Sequence, residues 1–197
     1  MKKEPIILSG IRIITISGRI ASGSTTLGHR LAHSLGWRHI EGGDVFWEAV
    51  RSKLNLESKD TGLRPDREDE DFDASLKKIL QDGKDIILET KLAGFNAQGI
   101  PGVFKIGVVC EDEDGNDKVD IRIDRLINRE KISISQAKEE VLEREENDLE
   151  KWRRIYAKGD KNWVYWNKEY YDLIINTYSH NQDESLKTAL GKIEYKI

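Results

Sequence analysis

The chain has 197 residues, one domain's worth at about 150 residues per domain, and enough to bury a core without disulfide or metal staples. Apolar residues make up 38% and charged residues 35%, and 32 basic against 36 acidic side chains leave a net charge of −4. That balance argues against a stable nucleic-acid complex, the single cysteine (Cys110) excludes an internal disulfide, and no run nears the roughly 20 apolar residues of a membrane helix. The apolar run Ile6–Leu8 is too brief for a signal-peptide core, and the lone cysteine makes a reducing cytoplasm the expected location.

Strand and helix patterns alternate along the chain. Ile11–Ser17 alternates β-branched residues and reads as a buried strand, and Thr25–Leu35 carries Leu27, Leu31, Ala32 and Leu35 at helical spacing up to Gly36. Trp37–Ile40 is predicted as a second strand and Asp44–Leu54 as a second helix, followed by a polar, exposed loop at 55–71. Phe72–Leu80 reads as a helix closed by Gly83, Asp85–Glu89 and Val103–Val109 as strands, and Cys110–Lys118 as an acidic surface loop. Val119–Asn128 places Val119, Ile123, Leu126 and Ile127 on one face with basic residues between them. From Ser133 to about Lys158 a long helix is expected, charged nearly all round, the kind that bridges solvent or moves rather than filling a core. Leu173–Asn176 is the last strand and Asn181–Leu190 a terminal helix. The alternation predicts a single α/β domain over 1–197, with a parallel sheet of about five strands flanked by helices. The helical region between Arg125 and Asp160 is an excursion from that sheet.

The strongest chemical signal is Gly18-Arg19-Ile20-Ala21-Ser22-Gly23-Ser24-Thr25-Thr26, set between a strand and a helix. Glycines let backbone amides converge on phosphate oxygens, and the following helix N-terminus adds partial positive charge. Thr25 stands where the hydroxyl of a P-loop meets Mg²⁺. The GxxxxGK[ST] pattern holds at both glycines and at Thr25, and Ser24 occupies the lysine position.

Together with the segments ILETKLAGF (87–95), IRIDRLINRE (121–130), EREENDLEKWRRIY (143–156) and YYDLIINTY (170–178), this opening resembles the archaeal-type cytidylate kinases, nucleoside monophosphate kinases of the P-loop fold. The resemblance runs from about residue 11 to 178 and rests on the order and spacing of the motifs. It implies that the 18–26 loop binds ATP, with Thr25 on Mg²⁺, and that CMP or dCMP is the favoured acceptor. Gly43, Asp44 and Phe46 fall where the family begins its monophosphate-binding helix, although Asp44 also suits a helix cap. Lys91 stands where the family has an arginine for the acceptor phosphate, and Gly94 follows. Arg122, Arg125 and Arg129 lead into the lid, Arg144 and Asp148 lie on its helix, and Arg153 and Arg154 come just beyond; Arg122, Arg125, Arg129, Arg144, Asp148 and Arg153 are the catalytic residues this resemblance implies. The mobile parts implied are a monophosphate segment at 43–82 and a lid at 129–160. A monomer is expected.

Departures are also legible. Trp47 replaces the family's arginine, with Arg51 one helical turn on as a candidate substitute; Leu149, Glu150 and Lys151 fill lid positions usually rich in arginine, and Trp152 replaces a tyrosine. Two alternatives stay open: a same-fold kinase for another small-molecule acceptor, and a non-catalytic nucleotide-binding protein. Asp112, Asp114 and Gly115 have calcium-loop spacing, but Cys110 and Ile121 occupy the ends where ligands belong. His29 and His33, four apart, read as a helix face rather than zinc ligands, and the aromatics Trp163, Tyr165, Trp166, Tyr170 and Tyr171 read as packing rather than base stacking.

Overall fold

Five parallel strands form one sheet in the order β2-β3-β1-β4-β5. The computed structural model describes residues 4–42 and 65–194. Strand β1 (Ile13–Gly18) is buried along its whole length, and β3 (Ile86–Glu89) and β4 (Val103–Val109) pair with it on either side. Strands β2 (Arg38–Glu41) and β5 (Leu173–Asn176) form the edges. Continuous apolar strands of this kind belong to parallel sheets covered on both faces. On one face, Leu27, Leu31 and Leu35 of α1 (Ser24–Leu35) pack with Ala189 and Ile193 of the C-terminal helix, Gln182–Glu194. On the other, Leu76 and Leu80 of α2 (Asp66–Asp82) meet Ala93 and Ala97, at and just beyond the short α3 (Ala93–Asn96). The strand order reverses at β1, so the loop after it opens at the sheet's carboxyl edge, where open α/β sheets bind ligands.

The fold class and all five strands match the sequence expectation; β4 and β5 agree to the residue and the others shift by one or two positions. Two expectations need correction. Residues 66–71, read as loop, form the first turns of α2: Pro65 precedes the helix, and Asp66, Glu68 and Asp69 complement its positive end. The long solvated helix is instead three pieces: α5 (Ile134–Lys138), a π-helical stretch (Glu139–Arg144), and α6 (Glu145–Tyr156). Ser133 and Gln136 start α5 with a reciprocal capping box. Nor is the region core-poor. Ala137 and Val141 pack with Ile123 and Leu126 of α4 (Val119–Glu130), while Leu149 and Trp152 pack with Leu92 and the fully buried Tyr165. Three of its charges, Glu145, Asp148 and Lys151, turn inward to partners, while Glu139, Glu143, Glu146 and Glu150 stay exposed. The predicted helix 44–54, residues 55–64 of the predicted loop, and the candidates Gly43, Asp44, Phe46, Trp47 and Arg51 lie outside the described residues.

Candidate active site

A cavity of about 1410 Å³ opens at the carboxyl edge of the sheet. Its floor is the loop after β1. Gly23 precedes α1 with φ 106°, a left-handed conformation suited to glycine, and no side chain caps the helix start. Ser24, Thr25 and Thr26 begin the helix, so their amides lack intrahelical acceptors, and all three line the cavity. At Gly18 a Cβ would come within 2.3 Å of Ser22 Oγ, so the loop can fold back on the strand only with glycine there.

The loop is held from outside by a buried ionic cluster. Glu145, at the head of α6, accepts from Arg19 Nε at 2.8 Å, from the Ile20 amide at 3.1 Å, and from both terminal nitrogens of Arg122 at 3.1 Å. Arg122 also donates to Asp117 at 2.8 and 3.0 Å and to the Ile20 carbonyl at 2.8 Å. Burial opposes the charge of Glu145, yet Arg19 and Arg122 hold its carboxyl below the ordinary range. Arg19 further stacks its guanidinium 4.3 Å above the Trp166 ring.

At the loop's inner edge, Thr25 Oγ1 donates to Glu89 Oε1 at 2.8 Å. Glu89 ends β3 and is nine-tenths buried. A hydroxyl and a carboxylate beside a phosphate cradle form an all-oxygen donor set, the chemistry that suits a hard Mg²⁺ ion.

Further lining comes from the segment after β3, from α2 and from α6. Lys91 Nζ donates to Asp148 at 2.7 Å and sits 5.6 Å over the Trp152 ring. Asp69 pairs with Lys151 at 2.6 Å, and Asp73 accepts from the Tyr156 hydroxyl. Burial pushes the Asp73 carboxyl up to about 6. A carboxyl raised in the folded state favours folding while protonated; that contribution is complete below its unfolded value near 4 and is lost as pH rises through 6. Asp73 is therefore expected to lower stability by up to about 3 kcal/mol between pH 4 and 7. Asp73→Asn, which keeps an acceptor for Tyr156, should flatten that slope in urea unfolding series. Equal slopes in the two proteins would refute it.

Most of the anticipated residues converge on this cavity: Gly18–Ala21, Gly23–Thr26, Lys91, Arg125, Arg129, Arg144 and Asp148 line it. Arg125 spans from α4 to Thr177, donating to its hydroxyl and its carbonyl at 2.8 Å each. Arg129 pairs with Glu130, and Arg144 with Glu140 one turn back. Four candidates fall elsewhere. Arg122, expected as a catalytic cation, is fully buried in the Glu145 cluster and positions the loop instead. Arg153 faces away, donating to the Trp163 carbonyl and to Glu146. Ser22 is buried under the loop, its carbonyl accepting from Thr177 Oγ1 at 2.6 Å. Gly94 is a packing glycine, since a Cβ there would meet the Tyr171 ring at 2.2 Å.

Sequence reasoning missed Glu89, Asp69, Asp73 and Glu145. A usable signal existed for two of them: Asp69, Asp73, Leu76 and Leu80 follow one helical stripe, so the carboxylates share the buried face. The aromatic cluster packs as expected, with Tyr165 between Trp152 and Trp166.

Known proteins resemble this chain in sequence and in fold. The profile of the "Cytidylate kinase-like family" matches residues 13–179. The cytidylate kinase of Haloarcula marismortui is 30% identical over 184 residues, covering 92% of this chain and 89% of its own length. That of Natronomonas pharaonis is 32% identical over 167 residues, covering 84% and 80%. Among solved structures, shikimate kinase from Acinetobacter baumannii superposes with a TM-score of 0.58 at 12% identity, covering 94% of each chain, which bears on the fold alone. A gluconokinase from Sinorhizobium meliloti gives 0.54 at 14% identity, covering 94% of this chain and 93% of its own. With an uncapped helix start after a glycine-spaced loop at the sheet's carboxyl edge and a family match across 13–179, this chain belongs to the cytidylate kinase-like family of nucleotide kinases.

Proposed function

We propose that the chain transfers the γ-phosphoryl group of ATP to CMP or dCMP. One observation carries this reading: a single cavity is lined both by an uncapped helix N-terminus and by Lys91, Asp69 and Asp73. Phosphoryl transfer needs positioning and charge neutralisation more than covalent help. The amides of 23–26 bind the donor phosphates. Thr25 and Glu89 would hold Mg²⁺, which when bound would supply neutralisation of phosphate charge. With Ser24 at the lysine position, cationic support comes from Arg125, Arg129 and Arg144 around the donor and from Lys91 toward the acceptor.

Carboxylates at Asp69 and Asp73 supply acceptors for the exocyclic amine of cytosine, where uracil presents a carbonyl. A site built around such a contact rejects the analogue lacking it strongly. Residues 129–160 act as a lid: Arg129, Arg144 and Asp148 reach the cavity from this segment, and Lys151 and Arg154 rest on α2 through Asp69 and Asp66. Closure there excludes water that would otherwise hydrolyse ATP.

A coupled assay with Mg-ATP and CMP, dCMP, UMP, AMP and GMP tests the assignment. CMP or dCMP should exceed UMP in kcat/KM by about a hundredfold or more. Parity with UMP, or a preference for a purine, would overturn the base assignment. An ATP–CMP bisubstrate mimic should slow hydrogen exchange across 129–160; unchanged exchange there argues against the lid.

A further inference from the structure

Beside the cradle, α1 and β2 bring two imidazoles and a carboxylate together. His29 Nε2 lies 2.8 Å from Glu41 Oε1, and His39 Nδ1 lies 4.0 Å from the same oxygen. One ligand atom from each of the three residues falls within 4.8 Å of the other two, and the two rings meet edge to face at 4.4 Å. A tetrahedral zinc ion with bonds of about 2.0–2.1 Å separates its ligand atoms by roughly 3.3 Å, so modest side-chain adjustment closes this trio on an ion.

His39 is braced from behind. Its Nε2 is buried 3.3 Å from Glu89 Oε2, and neither atom has a well-aligned hydrogen bond. The ring fits under α1 because residue 28 is glycine; a Cβ there would stand 2.6 Å from Nε2. Nδ1 is thereby left toward Glu41 and His29.

We propose that His29 Nε2, His39 Nδ1 and the Glu41 carboxylate bind one divalent ion of the zinc class, with water completing its shell. Two imidazoles and one carboxylate select a borderline transition ion over Mg²⁺. Coordination through Nδ1 leaves the neutral ring's proton on Nε2, where it donates to Glu89, the outer-sphere carboxylate–histidine arrangement that orients metal ligands. Because Glu89 also accepts from Thr25, three side chains link the ion to the phosphate loop. Helical spacing could not reveal the trio. His33 is exposed and outside it, and the second imidazole comes from a strand.

The test uses the full chain, stripped with a chelator and titrated calorimetrically with Zn²⁺ in excess Mg²⁺. One equivalent should bind, and His29→Ala and Glu41→Gln should each weaken binding by about tenfold or more. His29 is 63% exposed, so its removal leaves packing intact, which melting curves will record. His33→Ala should bind as the wild type does. Long-range ¹H–¹⁵N spectra should show His39 protonated at Nε2 in the zinc form. No stoichiometric binding, undiminished binding in both the His29 and Glu41 variants, loss in His33→Ala, or an Nδ1-protonated His39 at saturating zinc would each overturn the proposal.

Discussion

Arg122→Ala is expected to cost about 3–5 kcal/mol of folding stability, a loss typical of a buried ion pair broken on one side. Arg122 is fully buried and divides its donors among Asp117, Glu145 and the Ile20 carbonyl. Removing it leaves Glu145, only 3% exposed, with Arg19 and the Ile20 amide as its remaining partners. A cavity the size of a guanidinium and its stem adds to the cost. Urea unfolding of wild type and variant measures the difference. The double variant Arg122→Met, Glu145→Leu should recover much of it, because isosteric apolar replacement of a buried pair is far milder than orphaning one partner. A loss below about 1 kcal/mol for Arg122→Ala would show that water reaches Glu145 and that the cluster does not brace the loop.

Glu89→Gln should lower kcat by about two to three orders of magnitude while leaving the fold in place, the scale seen when one preorganised electrostatic group is removed from a transition state. Glutamine preserves the shape and an acceptor for the Thr25 hydroxyl, now 2.8 Å from Glu89 Oε1, but carries no charge for Mg²⁺. Thr25→Ala should lower kcat by the same route, and the double variant should lose much less than the product of the two, since the residues act as a unit. Steady-state rates at saturating ATP and CMP across a Mg²⁺ series provide the readout. An unchanged kcat in Glu89→Gln at every Mg²⁺ concentration would remove Glu89 from the reaction.

Which parts were legible in the chain follows from the range of the physics involved. Buried parallel strands announce themselves as short β-branched runs, and Ile13–Gly18 and Val103–Val109 read that way without any partner in view. A glycine-spaced loop between strand and helix is likewise local, so the turn over residues 18–26 was legible before any partner was in view. Asp69, Glu145, Asp148 and Lys151 were not legible as buried, because exposure is not a local property. Asp69 is buried because Lys151 lies against it, and Glu145 because Arg19 and Arg122 do; these partners come from up to 126 positions away. The same distinction divides the arginines. Arg122 and Arg125 sit three apart on one helix, yet one points into a closed ionic cluster and the other reaches Thr177 at the cavity. Local periodicity determined the strands and the glycine-spaced loop, and the motifs in their order carried the resemblance. Only the tertiary structure decided which charged groups face a ligand and which face each other, because desolvation depends on what the rest of the chain brings alongside.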